Sequence, residues 1–160
     1  MDANNFQRVG SVSNAHVGRD FEAVAQTYFK SQGVLLGSNY SVPVGVAAAK
    51  KNRQFDLGSG EPPVLVECKS HRWTAGGNVP SAKITVWNEA MYYFHLAPPR
   101  FRKVLFVLRD FSSKRNESLA NYYVRNYGHL IPKGVEILEY DADSATVSEV
   151  LTSCSSSFRA

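Results

Sequence analysis

The chain has 160 residues, of which 44% are hydrophobic and 20% charged. That balance suits one folded domain with a buried core, and it excludes a disordered or fibrous chain. A net charge of +4 permits an anionic partner without demanding one. Two cysteines, Cys68 and Cys154, give neither a disulfide framework nor a zinc cluster. With no long apolar run, the sequence predicts no signal peptide, no membrane span and a cytoplasmic, intracellular protein.

In chain order, residues 1–17 are polar and small, and are expected to form an irregular lead-in. The stretch Arg19 to Gln32 is predicted to be a helix, because Phe21, Val24, Ala25, Tyr28 and Phe29 recur at helical spacing. Gly33 follows at a natural stop. Residues 38–73 read as a three-stranded meander, with a tight turn at Gly58-Ser59-Gly60 between its second and third strands. After a loop at 74–80 comes a helix from Ala82 to Leu96, with Trp87, Ala90, Met91 and Phe94 on one face. The apolar run Lys103 to Arg109 suits a strand buried on both faces. A charged loop at 110–115, a helix from Asn116 to Tyr127 and a strand from Val135 to Tyr140 complete the predicted domain, 18–141. Residues 142–160 are expected to form a polar tail. Strands joined by crossover helices run parallel, so the expectation is an α/β fold with a mixed central sheet flanked by helices.

The chemistry concentrates between Gln54 and Trp73. Side chains alternate along a strand, so Glu67 and Lys69 share one face, with His71 and Trp73 continuing it if the strand runs that far. Asp56 arrives on the preceding strand. Two carboxylates placed together repel each other unless a cation sits between them, and hard oxygen ligands suit Mg²⁺ or Mn²⁺. Glu22 borders the apolar stripe of the first helix and is able to reach such a site. A solvated acid near a helix start has the same pattern.

A helix with a glutamate, a strand with Asp, a strand with Glu-x-Lys, then a helix and a strand resembles the PD-(D/E)XK nuclease superfamily, whose members include restriction endonucleases and archaeal Holliday-junction resolvases. The resemblance spans Gly18 to Arg109 and rests on G-R-D-F-E at 18–22, F-D at 55–56 and V-E-C-K at 66–69. Phe55 stands where the family's name has proline, at a position that binds no metal. The resemblance implies a restriction-endonuclease-like αβββαβ core within 18–141. It implies catalytic Asp56, Glu67, Lys69 and Glu22, and Mg²⁺ (or Mn²⁺) held by Asp56, Glu67, the backbone carbonyl of Cys68 and Glu22. The implied activity is a DNA endonuclease, restriction-type or structure-specific, acting alone or as a homodimer that places two sites on two strands.

Candidates for contact with nucleic acid are His71, Arg72, Lys83, Lys51 and Arg53. Each has an ordinary alternative. A lone histidine is more often a surface or capping residue, Lys83 suits a solvated helix start, and loop cations suit any wet surface. Trp73 is expected to pack against the sheet rather than stack on a base. Glu67–Lys69 also fits a same-face ion pair, which would add little stability. The rival functional reading is a non-catalytic nucleic-acid-binding domain that keeps the nuclease fold.

Overall fold

A computed structural model describes residues 14–151, with side chains from residue 18 on. The expectations for 1–13, for 152–160 and for Cys154 therefore lie outside the described residues. The first helix, α1, spans Asn14–Ser31 and so begins inside the stretch expected to be an irregular lead-in. It ends against Gly33, whose φ of +80° is the left-handed conformation that glycine adopts at least cost.

Strands β1 (Gly37–Val44), β2 (Lys51–Gly60) and β3 (Pro63–Lys69) form the expected antiparallel meander. The turn between β2 and β3 is Glu61-Pro62, not Gly58-Ser59-Gly60, which stays inside β2. The reason is packing. A Cβ on Gly58 would stand 2.5 Å from Cγ of Tyr40, so the glycine marks where a ring crosses the strand, not where the chain reverses.

Helix α2 (Ser81–Leu96) crosses over to β4 (Arg102–Leu108), and α3 (Leu119–Tyr127) precedes β7 (Val135–Asp141). The loop expected at 110–115 holds half of a small hairpin, β5 (Phe111–Ser112) with β6 (Glu117–Ser118). The last helix consequently starts at Leu119 rather than Asn116, capped by the Ser118 hydroxyl, which accepts from the Asn121 N–H. The α-helix ends at Tyr127 with Gly128 as its C-cap. That glycine also opens a 3₁₀ segment, Gly128–Leu130.

The expected polar tail is corrected too, because Thr146–Leu151 form β8, antiparallel to β7. Val150 and Leu151 pack against one core and Val147 against the other. Thr146, Ser148 and Glu149 stay exposed at the sheet edge.

The central sheet has six strands in the order β1-β2-β3-β4-β7-β8. β3, β4 and β7 are parallel and the flanking pairs antiparallel, so the fold is α/β with a mixed sheet and, among the described residues, three helices. Two cores result. On one face Phe21, Ala25 and Phe29 of α1 meet Val64, Val66, Val104 and Phe106. On the other, Trp87, Met91 and Phe94 of α2 and Leu119 and Tyr123 of α3 meet Leu65, Leu105, Val107 and Ile137. Among the described residues, no helix is long and apolar enough to cross a membrane.

Candidate active site

The site forms at the carboxyl end of β3, where the antiparallel and parallel halves of the sheet meet. Strand alternation puts Val64, Val66 and Cys68 on the α1 side and Leu65 on the α2 side, which Glu67 and Lys69 share by the same alternation. In β2, Phe55 serves the α2 core and Leu57 the α1 core, so the alternation breaks between them, at Asp56. Regular pairing of β2 with β3 extends from Gly60↔Pro63 only to Leu57↔Val66. Beyond it, the Asp56 carboxylate substitutes for the backbone, its Oδ2 accepting from the Cys68 N–H at 2.8 Å.

Lys69 joins the two acids. Its Nζ donates to Oε2 of Glu67 at 2.7 Å and stands 3.8 Å from Oδ2 of Asp56. Glu67 has a side chain only 2% exposed, against 13% for Lys69 and 30% for Asp56. Burial raises the Glu67 pKa, Lys69 pulls it down, and Asp56 pushes it up again. For Lys69, burial alone would lower the pKa, but the carboxylates of Glu67 and Asp56 outweigh it and hold the ammonium charged. Glu22 belongs to the same field. Its pKa is raised by burial and then by Asp56, while Lys69 lowers it. The Cys68 thiol is pushed well up by burial and by Asp56 and Glu22, so it is an inert packing group.

Arg53 has partners within the chain. Its guanidinium lies over the Tyr93 ring of α2 at 4.1 Å, with one nitrogen 3.7 Å from Oε1 of Glu67. Glu67 is thus flanked by Lys69 on one oxygen and Arg53 on the other. The sequence held a signal for this: Arg53 and Phe55 alternate onto one face of β2, the face that Phe55 buries. Lys51 is exposed at the start of β2. Arg72 is largely exposed and pairs with Asp110, which also accepts from the Trp73 backbone N–H at 2.7 Å. The Trp73 indole donates to the Asp110 carbonyl at 2.9 Å, so Trp73 is a buried packing residue, as expected. β3 ends at Lys69, so His71 leaves the face that Glu67 and Lys69 share and instead accepts at Nδ1 from the Trp87 indole at 2.9 Å. Lys83 is exposed in the first turn of α2.

The sequence-predicted acids and lysine therefore come together, and three of the candidates for nucleic-acid contact, Arg53, Arg72 and His71, have structural partners. Among the described residues, no group of three or more His, Cys, Asp or Glu side chains is arranged to hold a metal ion. What occupies the space between the carboxylates is the Lys69 ammonium. One atom nevertheless suits a cation: Oε1 of Glu67 is buried and has no hydrogen-bond partner. Arg53 is too far from it for a hydrogen bond and close enough for an ion pair.

Comparisons with family models, with curated proteins and with solved structures find no match.

Proposed function

We propose that the protein is a metal-dependent DNA endonuclease of the PD-(D/E)XK type. The observation that carries this reading is the meeting of Asp56, Glu67 and Lys69 at the end of β3, with a buried Glu67 oxygen left without a hydrogen bond. Asp56, Glu67 and the Cys68 carbonyl are the residues that would hold Mg²⁺ or Mn²⁺, with Glu22 beside them. Such an ion, when bound, lowers the pKa of water and offsets charge on a phosphoryl oxygen. The chain's own residues do the remaining work. Lys69, held protonated by the two acids, is an electrostatic stabiliser and orients water through its N–H groups. Glu67 sets the position of Lys69 through their 2.7 Å hydrogen bond. Asp56 ties the open end of β2 to β3 through Cys68 and so fixes the separation of the two acids.

A second reading, a non-catalytic nucleic-acid-binding domain, is favoured by one observation: Lys69 already neutralises the acids. One experiment separates the two. Supercoiled plasmid, linear duplex and a four-way junction are incubated with wild type and Asp56→Asn, in Mg²⁺, Mn²⁺ or EDTA. Asn keeps an oxygen for the Cys68 N–H, so the fold is retained. The expected outcome is metal-dependent cutting by wild type alone, with the preferred substrate naming the class. Binding without cutting, under every metal, selects the second reading.

A further inference from the structure

Beyond the end of β3, the chain turns His71 onto α2. Its ring lies near-parallel to that of Trp87, 26° between planes with centroids 6.5 Å apart, and Trp87 is fully buried. The indole N–H only donates, so the 2.9 Å contact makes Nδ1 of His71 an acceptor. An acceptor at Nδ1 requires a neutral imidazole with its proton on Nε2. Among the described residues, no protein group accepts from that Nε2–H. His71 is half-buried, and Nε2 is not among the buried side-chain atoms left without a partner, so its proton is offered to solvent. The charged groups that act on the ring are Lys83 and Lys69, both cations; with burial as the larger cause, they bring its pKa down to about 4. Lys83 stands one turn before Trp87 on α2, so its ammonium shares the helix face that holds the His71 ring, and a neutral donor in the field of two ammonium groups suits an anion.

We propose that His71 and Lys83 form a phosphate-binding subsite for a polynucleotide backbone next to Lys69, with Nε2–H of His71 as a fixed neutral donor. The proposal takes the identity of its ligand from the nuclease reading and adds where a backbone phosphate is held. Trp87 is the positioning residue, because its indole fixes the tautomer. Protonating the ring would cost the Trp87 hydrogen bond, so the donor keeps its form across the neutral range. Lys83 supplies charge at the mouth of the subsite, where its flexible stem adapts to the strand.

The test uses nitrogen NMR on the full chain. Wild type in EDTA is expected to show the Nε2–H tautomer of His71 from about pH 5 to 8, and its Nε2 resonance is expected to move when a short DNA duplex is added. His71→Ala is expected to weaken duplex binding in EDTA about tenfold, as loss of one hydrogen bond to a charged group does. His71→Gln, which keeps a neutral donor near the Nε2 position, is expected to recover most of it. A proton on Nδ1, or an unmoved Nε2 resonance while the duplex binds elsewhere, overturns the subsite. Metal-dependent cutting by a wild type whose His71 stays silent removes this inference and leaves the nuclease reading. A duplex that neither binds nor is cut removes both.

Discussion

At the scale of single residues, Glu67 sets two demands against each other. Its carboxylate is needed ionised for the proposed chemistry, yet it is buried, and burial is the largest cause of its raised pKa. A carboxyl whose folded pKa stands above its ordinary 4.5 stabilises the fold while protonated, and that stability is lost as pH rises through the folded pKa. Lys69 limits the loss. Lys69→Met removes the nearest cation, so the Glu67 pKa climbs further and the penalty at neutral pH grows. The variant is expected to match wild type most closely near pH 5 and to fall behind it by about 3 kcal/mol at pH 8. That is the low end of the cost of unpairing a buried charge, since Arg53 remains 3.7 Å away. Urea denaturation across that range reads the difference. A gap that does not change with pH would show that Glu67 does not depend on Lys69 for its charge. Cleavage is expected to be lost in the same variant, while duplex binding in EDTA stays within a few fold of wild type.

Among the elements, β1 and β2 meet through a contact that no local pattern announces. Tyr40 lies across Gly58, with Cγ, Cβ and Cδ1 at 2.5, 2.6 and 2.7 Å from a Cβ placed there. Those atoms are the base of the ring, so a rotamer change cannot clear them and β1 itself must move. Gly58→Ala is therefore expected to cost about 1–3 kcal/mol in urea denaturation. In a Tyr40→Gly background the same substitution should cost much less, and equal costs in both backgrounds would mean that the strain lies elsewhere. This contact also explains why the glycine cluster sits inside a strand although its sequence reads as a turn. The pattern of residues 58–60 is that of a turn, and only the ring from a neighbouring strand says otherwise. The same limit hid β5, β6 and β8. Two-residue strands carry no period, and in Thr146–Leu151 the apolar residues Val147, Val150 and Leu151 follow no period of two. By contrast the three helices and β3, β4 and β7 are legible, since their apolar residues form long runs or periods. Asp56, Glu67 and Lys69 were legible because adjacent strands of a meander bring nearby sequence together. The Trp87–His71 and Arg53–Tyr93 contacts were not, because each joins the sheet region to a helix face whose spacing reads only as core.

For the whole molecule, topology decides where the cations stand, and sequence alone could only collect them into one list. β2 runs antiparallel to β3, so Lys51 at its start, five residues before Asp56, lies out beyond the carboxyl end of β3. α2 begins at that end, with Lys83 in its first turn, and β4 finishes there before the hairpin that carries Lys114 and Arg115. Arg72, Gly77 and Lys114 line a groove of about 510 Å³ in the same region, with the Arg115 Nε donating to the Gly77 carbonyl at 3.0 Å. Arg100, Arg102 and Lys103 fall at the opposite end, at the start of β4, where Arg102 pairs with Glu136 and Lys103 donates to the Ala97 carbonyl. A polyanion drawn to the acids' end has to pass over the first group and not the second. Duplex affinity in EDTA should accordingly fall more than tenfold when Lys51→Glu and Lys114→Glu are combined, with the slope of log affinity against log salt reduced by at least about 1. Arg100→Glu makes the same kind of charge change at the far end, so nonspecific attraction to the molecule as a whole would weaken under either change. The expectation is that Arg100→Glu leaves both affinity and salt slope close to wild type. If it matches the double variant instead, the strand does not run over the carboxyl end of β3, and a site built from Asp56, Glu67 and Lys69 loses its substrate path.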